Sequence, residues 1–244
     1  MLKKILSLFR IKFSSFFYIF RNLIQYLKQF YWFSRNYANL SFRLALSDAY
    51  PCLSDNMPKH SLDPIYLLQN SWAFNLIVEN KSSKHIDVGS SVQFLSLLAR
   101  VVPTTYVDIR GLPFTIPDLK FKRGSILKLP FQSKSVMSIS SICVIEHIGL
   151  GRYGDPLDTF GSEKAAVELQ RVTKRNGIIY ISVPVDSVSA VHFNAHRTFT
   201  RDHILSLFSD CKLLEEQYIY GSEIYNRYSK SRGFGTGLYE FKKK

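Results

Sequence analysis

The spacing of apolar residues shifts along the chain between the helical and the extended pattern. Residues 61–80, SLDPIYLLQNSWAFNLIVEN, carry apolar side chains at helical intervals behind Asp63-Pro64, a good start signal for a helix. Short apolar runs and helical stretches then alternate. KHIDVG (84–89) reads as a strand, VQFLSLLARV as a helix, and TTYVDIR (104–110) and LKFKRGSI (119–126) as the second and third strands. SVMSISSICVIEH (135–147) predicts a buried fourth strand, EKAAVELQRVTKRNG (163–177) a helix closed by Asn176-Gly177, and IIYISVP (178–184) a fifth strand. TRDHILSLF (200–208) predicts a helix capped by Thr200, and KLLEEQYIYG and TGLYEFKKK predict two last strands. The alternation predicts an α/β fold around a mostly parallel, seven-stranded sheet with helices on both faces. The last two strands have no helix between them, so one of them is expected to run antiparallel.

The first sixty residues do not share this pattern. Residues 1–61 are expected to form a basic, amphipathic helical arm and residues 62–244 the α/β domain. The chain has 32 basic and 19 acidic residues, a formal net charge of +13. Eight of the basic side chains (Lys3, Lys4, Arg10, Lys12, Arg21, Lys28, Arg35, Arg43) and no acidic ones precede residue 46, which leaves the body only about +5. The body therefore lacks an obvious nucleic-acid face, and a nucleic-acid partner is not expected. In residues 1–33 the bases are interleaved with Phe, Tyr and Leu, which suits a helix lying on an anionic membrane surface. The same composition suits a helix docked on the body or on a second subunit. The longest charge-free run there, FSSFFYIF, is far short of the ~20 residues that span a bilayer, and no small-residue cleavage site follows. Three cysteines without a CxxC pair suit a reducing compartment and argue against a disulfide framework or a zinc site. Cys143, in an apolar run, reads as a buried strand residue.

In an open α/β sheet, ligands bind beyond the carboxyl ends of the strands. Polar residues and glycines collect at each of those ends: Asp87-Val-Gly89-Ser90-Ser91, Asp108-Ile-Arg110, Gly124-Ser125, Glu146-His147, and the stretch from Val185 to Thr200. Asp87 and Gly89 predict a tight turn that brings backbone close to a ligand. Asp108 follows Asp87 by 21 residues, the interval at which an acid bonds ribose hydroxyls. A full GxGxxG is missing, so a pyrophosphate would lack its glycine cradle, and an adenosine ligand without phosphates fits better. The fourth strand opens into a long loop, GLGRYGDPLD, a length uncommon in a compact domain unless the loop covers a site. Gly149, Gly151 and Gly154 permit sharp turns, Arg152 offers a fork for carboxylate or phosphate, Tyr153 can stack on a sugar or base, and Asp155 can take a hydroxyl proton.

HIDVGSSVQFL, YVDIR, LPF (129–131), VIEHI (144–148) and ELQRVTKRNGIIYISVP (168–184) resemble the ordered motifs of class I S-adenosylmethionine-dependent methyltransferases, over about residues 84–242. More narrowly, EHIGLGRYGDPLD, GSEKAA, ELQRV and FNAHRTFT resemble the domain-of-unknown-function family 268. That resemblance implies a Rossmann-like methyltransferase fold and, for bacterial members, an association with surface polysaccharide genes. It brings no established reaction. It implies S-adenosylmethionine as the cofactor, with Asp87 and Gly89 at the methionine part, Asp108 at the ribose, Ser125 near the adenine amino group, and Ser90 and Glu146 as further cofactor-binding residues. Ser125 and Met137 stand where such enzymes often carry acids, which leaves a non-catalytic domain open.

For catalysis the candidates are His196, His147 and Asp155, and for substrate binding Arg152, Tyr153, Asn194 and Arg197. His192 and His196 lack a nearby carboxylate or Cys to complete a metal set, so no metal is expected. The arginines of the two loops suit a phosphate-bearing acceptor, such as a nucleotide-activated or lipid-linked sugar. The reading is a cytoplasmic protein, peripheral on the inner face of the membrane, that methylates a sugar hydroxyl of a surface polysaccharide precursor. Its alternatives are a non-catalytic nucleotide- or sugar-binding partner of a glycan-assembly complex and a nucleic-acid methyltransferase.

Overall fold

The computed structural model describes residues 2–38, 41–56 and 62–244, with side chains described from Phe17 onward. The chain divides into two compact units, Met1–Leu62 and Asp63–Lys244. In the first, α1 (Leu2–Arg35) is one continuous helix without an acidic residue. Tyr18 donates from its hydroxyl to the Asn56 carbonyl (2.6 Å) and Asn22 from Nδ2 to the Leu53 carbonyl (2.7 Å), so this side of the helix carries the 53–56 segment. Phe17, Phe20, Ile24, Leu27 and Tyr31, spaced by three and four, are all exposed along another side. No described helix is long and apolar enough to cross a membrane.

The second unit begins with α2 (Pro64–Glu79), whose Asp63 cap accepts from the Ile65 amide at 2.9 Å. Then follow β1 (His85–Val88), α3 (Val92–Leu98), β2 (Thr104–Asp108), β3 (Leu119–Arg123), β4 (Val136–Ile142), α4 (Gly161–Val172) and β5 (Thr173–Val185). A small hairpin, β6 (Ala190–His192) and β7 (His196–Thr198), precedes α5 (Arg201–Leu207), β8 (Cys211–Tyr220), β9 (Glu223–Tyr225) and β10 (Gly235–Lys243). The main sheet has eight strands in the order β3-β2-β1-β4-β5-β10-β8-β9. The pairings from β3 to β5 are parallel, and β10 is antiparallel to both β5 and β8. The seven-strand expectation is short by β9, three residues that pair back on β8 after Gly221.

Alternation along β5 builds a core on each face of the sheet. Ile179, Ile181 and Val183 pack with Ala165, Leu169 and Val172 of α4 and Ile204 of α5, whereas Ile178 and Tyr180 pack with Trp72 and Ile77 of α2 and Leu95 and Leu98 of α3. Two parts of the expected alternation are absent among the described elements. The β2–β3 and β3–β4 connections contain no helix; Pro113, Pro117 and Pro130 interrupt them. The α4 helix also ends at Val172, five residues before Gly177. The amides of Lys134 and Ser135 take the carbonyls of Arg171 (2.8 Å) and Val172 (2.9 Å), so the end is satisfied without Asn176-Gly177. Those two residues instead belong to an irregular start of β5, with Asn176 at φ +64.

Candidate functional site

The strand order reverses between β1 and β4, where open α/β sheets have their ligand crevice. A cavity of about 640 Å³ opens there, in the size range of small-molecule sites. Its wall includes Gly89, Ser90, Asp108, Ser125, His147, Tyr153 and Asp155 of the residues proposed from sequence. Val88, Val107, Ile126, Leu127 and Ile142 supply apolar surface.

The turn after β1 is held from below. Asp87 is fully buried and is absent from the cavity wall. Its Oδ1 accepts from the Ser90 amide (3.0 Å), and its Oδ2 accepts from the Ser90 hydroxyl (2.6 Å) and from Ser140 Oγ. Burial pushes this carboxyl up to about 6. Because Ser140 donates its one proton to Asp87, it accepts from His85 Nε2 (2.8 Å), and His85 Nδ1 accepts from Ser138 Oγ (2.7 Å). Burial pushes His85 down to about 3, so it stays neutral. Asp87 is therefore corrected from a ligand contact to a group that shapes the turn. Gly89 stands at φ +75, and a Cβ there would meet Val144 Cγ1 at 2.9 Å.

Asp108 ends β2 at the cavity wall, as the spacing suggests, but its oxygens are taken. Oδ1 accepts from the Arg110 amide (2.7 Å) and Nε (3.1 Å), and Oδ2 from Arg110 Nη2 (2.9 Å) and the Tyr106 hydroxyl (2.7 Å). These donors outweigh burial and hold the carboxyl below its ordinary range. Arg110 was named in the sequence only as a neighbour. The signal was its spacing: an aspartate at a strand end accepts from the amide two residues on, and that turn brings the Arg110 side chain back to the same carboxylate.

The fourth strand stops at Ile142, earlier than its apolar run. Cys143 follows at φ +52 and lines the cavity, so it is not a strand residue; its thiol donates to Gln69 Oε1 (3.0 Å). A short 3₁₀ turn, Ile145–His147, then sends Glu146 inward and His147 to the wall. Glu146 is buried and outside the cavity wall, a correction to its cofactor assignment. Burial pushes it up to about 8, and its Oε2 has no hydrogen-bond partner among the described residues. His147 Nδ1 lies 2.6 Å from the Ala195 carbonyl. A carbonyl only accepts, so Nδ1 carries the proton and Nε2 keeps its lone pair. Nε2 has no hydrogen bond among the described residues and lies 3.6 Å from Glu146 Oε1. Burial pushes His147 down to about 4.

The long loop folds on itself. Gly149, at φ +81, donates to Asp155 Oδ2 (2.6 Å), and its carbonyl accepts from the Asp158 amide (3.0 Å). Asp155 Oδ1 accepts from the Tyr153 amide (3.3 Å), so this carboxylate shapes the loop and is not placed as a base. Arg197 is 7% exposed and spent on the backbone. Its Nη1 donates to the Ile148 carbonyl (2.6 Å) and Ser162 Oγ (3.2 Å), and its Nη2 to the carbonyls of Asp158 (3.2 Å) and Thr159 (3.3 Å). It is a loop strut, not a substrate fork. Asn194, at φ +64, makes the β6–β7 turn and lies outside the cavity wall. His196 also lies outside it, with its ring 4.9 Å from His192 and 5.8 Å from Phe234. Arg152 is exposed and outside the cavity wall, next to Tyr153 of that wall, with Nη1 donating to the Ala195 carbonyl (3.0 Å). Met137 is the second residue of β4, at the end opposite the cavity, so its identity does not bear on the site. Tyr66 of α2 also lines the cavity and was missed; a first-turn aromatic in an apolar helix gives no separate signal.

Sheet order and crevice define a Rossmann-like methyltransferase fold. Similar solved structures include a protein assigned as a sarcosine dimethylglycine methyltransferase from Galdieria sulphuraria (16% identity, 72% of this chain and 85% of that one, TM-score 0.54). Another is the 1,6-didemethyltoxoflavin-N1-methyltransferase of Burkholderia thailandensis with bound S-adenosylhomocysteine (13%, 72% and 78%, TM-score 0.53). A third is the N-methyltransferase NodS of Bradyrhizobium japonicum, also with S-adenosylhomocysteine (14%, 79% and 91%, TM-score 0.51). Residues 130–224 match the family model described as "Caenorhabditis protein of unknown function, DUF268", and the chain resembles that family over this span, from Pro130 to Ile224. No curated protein matches the chain.

Proposed function

We propose that the protein transfers a methyl group from S-adenosylmethionine to a hydroxyl of a surface-glycan precursor, with His147 as the general base. One observation carries this reading: a neutral imidazole, fixed by the Ala195 carbonyl and with Nε2 unbonded, on the wall of the cavity that also holds the Gly89 turn. The residues fit the cofactor. The Gly89 turn admits close approach, apolar walls suit the adenine, and Ser125 is on the wall beside them. Gly89 and Ser90 would hold the methionine part, and Asp108, on the cavity wall, would stand at the ribose side. The bound group would supply an electrophilic methyl on a sulfonium. The chain's own part is to orient the acceptor hydroxyl and take its proton on Nε2. The bound S-adenosylhomocysteine in two of the similar structures also supports this reading.

Calorimetry with S-adenosylhomocysteine tests it. The wild type is expected to bind. Gly89→Val, strained at φ +75 and crowded against Val144, is expected to give no heat while its melting temperature shows that it is folded. Silence from the wild type at millimolar ligand would remove the reading. A second reading, a non-catalytic binding module, is favoured by the saturated Asp108 oxygens. Binding without transfer of label from methyl-labelled cofactor to any nucleotide- or lipid-linked sugar would select it.

The α1 arm is part of the same proposal, as a peripheral attachment to the inner face of the membrane. Its exposed apolar side and its bases at Arg21, Lys28 and Arg35, one every seven residues, support an anionic surface as partner. The protein should sediment with anionic vesicles and come off at ~1 M salt, where the screening length is about 3 Å. Equal sedimentation of a form lacking residues 1–33 would refute this.

A further inference from the structure

Arginines that the cofactor does not need stand on and beside the cavity wall: Arg110 lines it, and Arg123 and Arg152 directly precede its Gly124 and Tyr153. The Tyr153 ring has the Arg110 guanidinium 4.8 Å and the Arg152 guanidinium 5.1 Å from its centroid, with the His147 ring edge-on at 5.5 Å. Arg123 ends β3 in register with Asp108, and its Nε donates to the Ile109 carbonyl (3.0 Å), next to Arg110. Each arginine is fixed by part of its donor set and keeps the rest. Arg110 uses Nε and Nη2 on Asp108 and leaves Nη1 unbonded among the described residues. Arg123 leaves both terminal nitrogens unbonded, and Arg152 leaves Nε and Nη2, among the described residues. The carboxylates at this edge are committed: Asp108 to Arg110, and Asp155 to loop amides. Arg123 and Arg152 have no ion-pair partner among the described residues, and His147 on the cavity wall is neutral.

We propose that Arg110 and Arg152, braced by Tyr153, and Arg123, braced by the Ile109 carbonyl, form a subsite for a diphosphate group on the acceptor. A single carboxylate fills one fork, whereas three guanidiniums with free donors match a group with several oxygens and more than one negative charge. The brace removes much of the ordering cost of long side chains, so the charges are held in place before the ligand arrives. This subsite replaces the pairing of Arg152 with Arg197, which is buried and spent. It deepens the methyl-transfer reading and rests on it for the word acceptor, but its ligand chemistry stands on the arginines alone.

Calorimetry on the full chain with inorganic pyrophosphate, uridine diphosphate and geranyl diphosphate tests it, with S-adenosylhomocysteine as a separate titration. The diphosphates should bind, and Arg152→Ala and Arg123→Ala should each weaken them roughly tenfold, since a charged hydrogen bond is lost. Both side chains are exposed, so folding should be kept, and Arg152→Lys should restore only part of the loss. Tighter binding of uridine diphosphate than of geranyl diphosphate identifies a nucleotide source, and the reverse a lipid source. No heat from any diphosphate, or affinities unmoved in both alanine variants, overturns the subsite. If the diphosphates bind and S-adenosylhomocysteine does not, the methyl-transfer reading fails and the subsite stands.

Discussion

Replacing His147 with glutamine is expected to lower methyl transfer by about 10²- to 10⁴-fold, the span associated with loss of a general base. S-adenosylhomocysteine affinity should stay close to that of the wild type. Glutamine can still donate to the Ala195 carbonyl, so the loop contact survives while the lone pair of Nε2 is removed. The pH profile separates this from a structural role. Burial pushes His147 down to about 4, so the base is already unprotonated at pH 5 and the rate should be level through pH 6.5. A limb near 6.5 would mean an imidazole in water, and with it a different base. The same shift acts on stability. Between pH 6.5 and about 4 the unfolded chain binds the proton and the folded one does not, so stability falls as pH falls through that window. Glu146 works in the opposite sense. Its folded value, raised to about 8 by burial, makes stability fall as pH rises from 4.5 through 8. A wild-type rate within threefold of His147→Gln would remove His147 from the chemistry.

The crevice was legible because it depends on chain direction and period. Apolar runs fix the parallel strands, and every parallel strand delivers its last residue to one edge, so the sequence alone brings Gly89, Asp108, Ser125 and His147 together. What each side chain does there was not legible. Asp87 and Asp108 look alike in sequence, yet one is capped by two serines below the turn and the other faces the cavity with an arginine on it. Part of the difference comes from Ser140, 53 positions from Asp87. The carbonyls that Arg197 gathers come from Ile148, Asp158 and Thr159, and no local pattern announces that backbone acceptors will converge. Asn194 follows the same logic, since a turn asparagine and a substrate amide have the same letter. Arg110 is the instructive miss: the Asp-x-Arg spacing was visible, and a turn of the Arg110 amide onto Asp108 is what brings the fork to the carboxylate.

Arg197→Ala, in β7, should be the single change most damaging to the 149–158 loop. The wild-type guanidinium is 7% exposed and satisfies three main-chain carbonyls and the Ser162 hydroxyl, which also donates to the Ile145 carbonyl. Alanine leaves those carbonyls facing a void without donors, and unpaired buried acceptors cost on the order of 3 kcal/mol together. For a domain of this size that corresponds to a fall in melting temperature of roughly 10 °C. Lysine should not rescue it, because one ammonium nitrogen cannot reach carbonyls presented to two separate nitrogens of a planar fork. The loss propagates to the site. Ile148 and Asp158 flank the loop that sets Tyr153, Gly154, Asp155 and Pro156 on the cavity wall, so untying them should also weaken S-adenosylhomocysteine binding. Arg152→Ala, at an exposed position on the same loop, should change neither the melting temperature nor that affinity. A melting curve of Arg197→Ala that overlays the wild type would show that the arginine is not the strut, and would return it to the list of groups free to bind substrate.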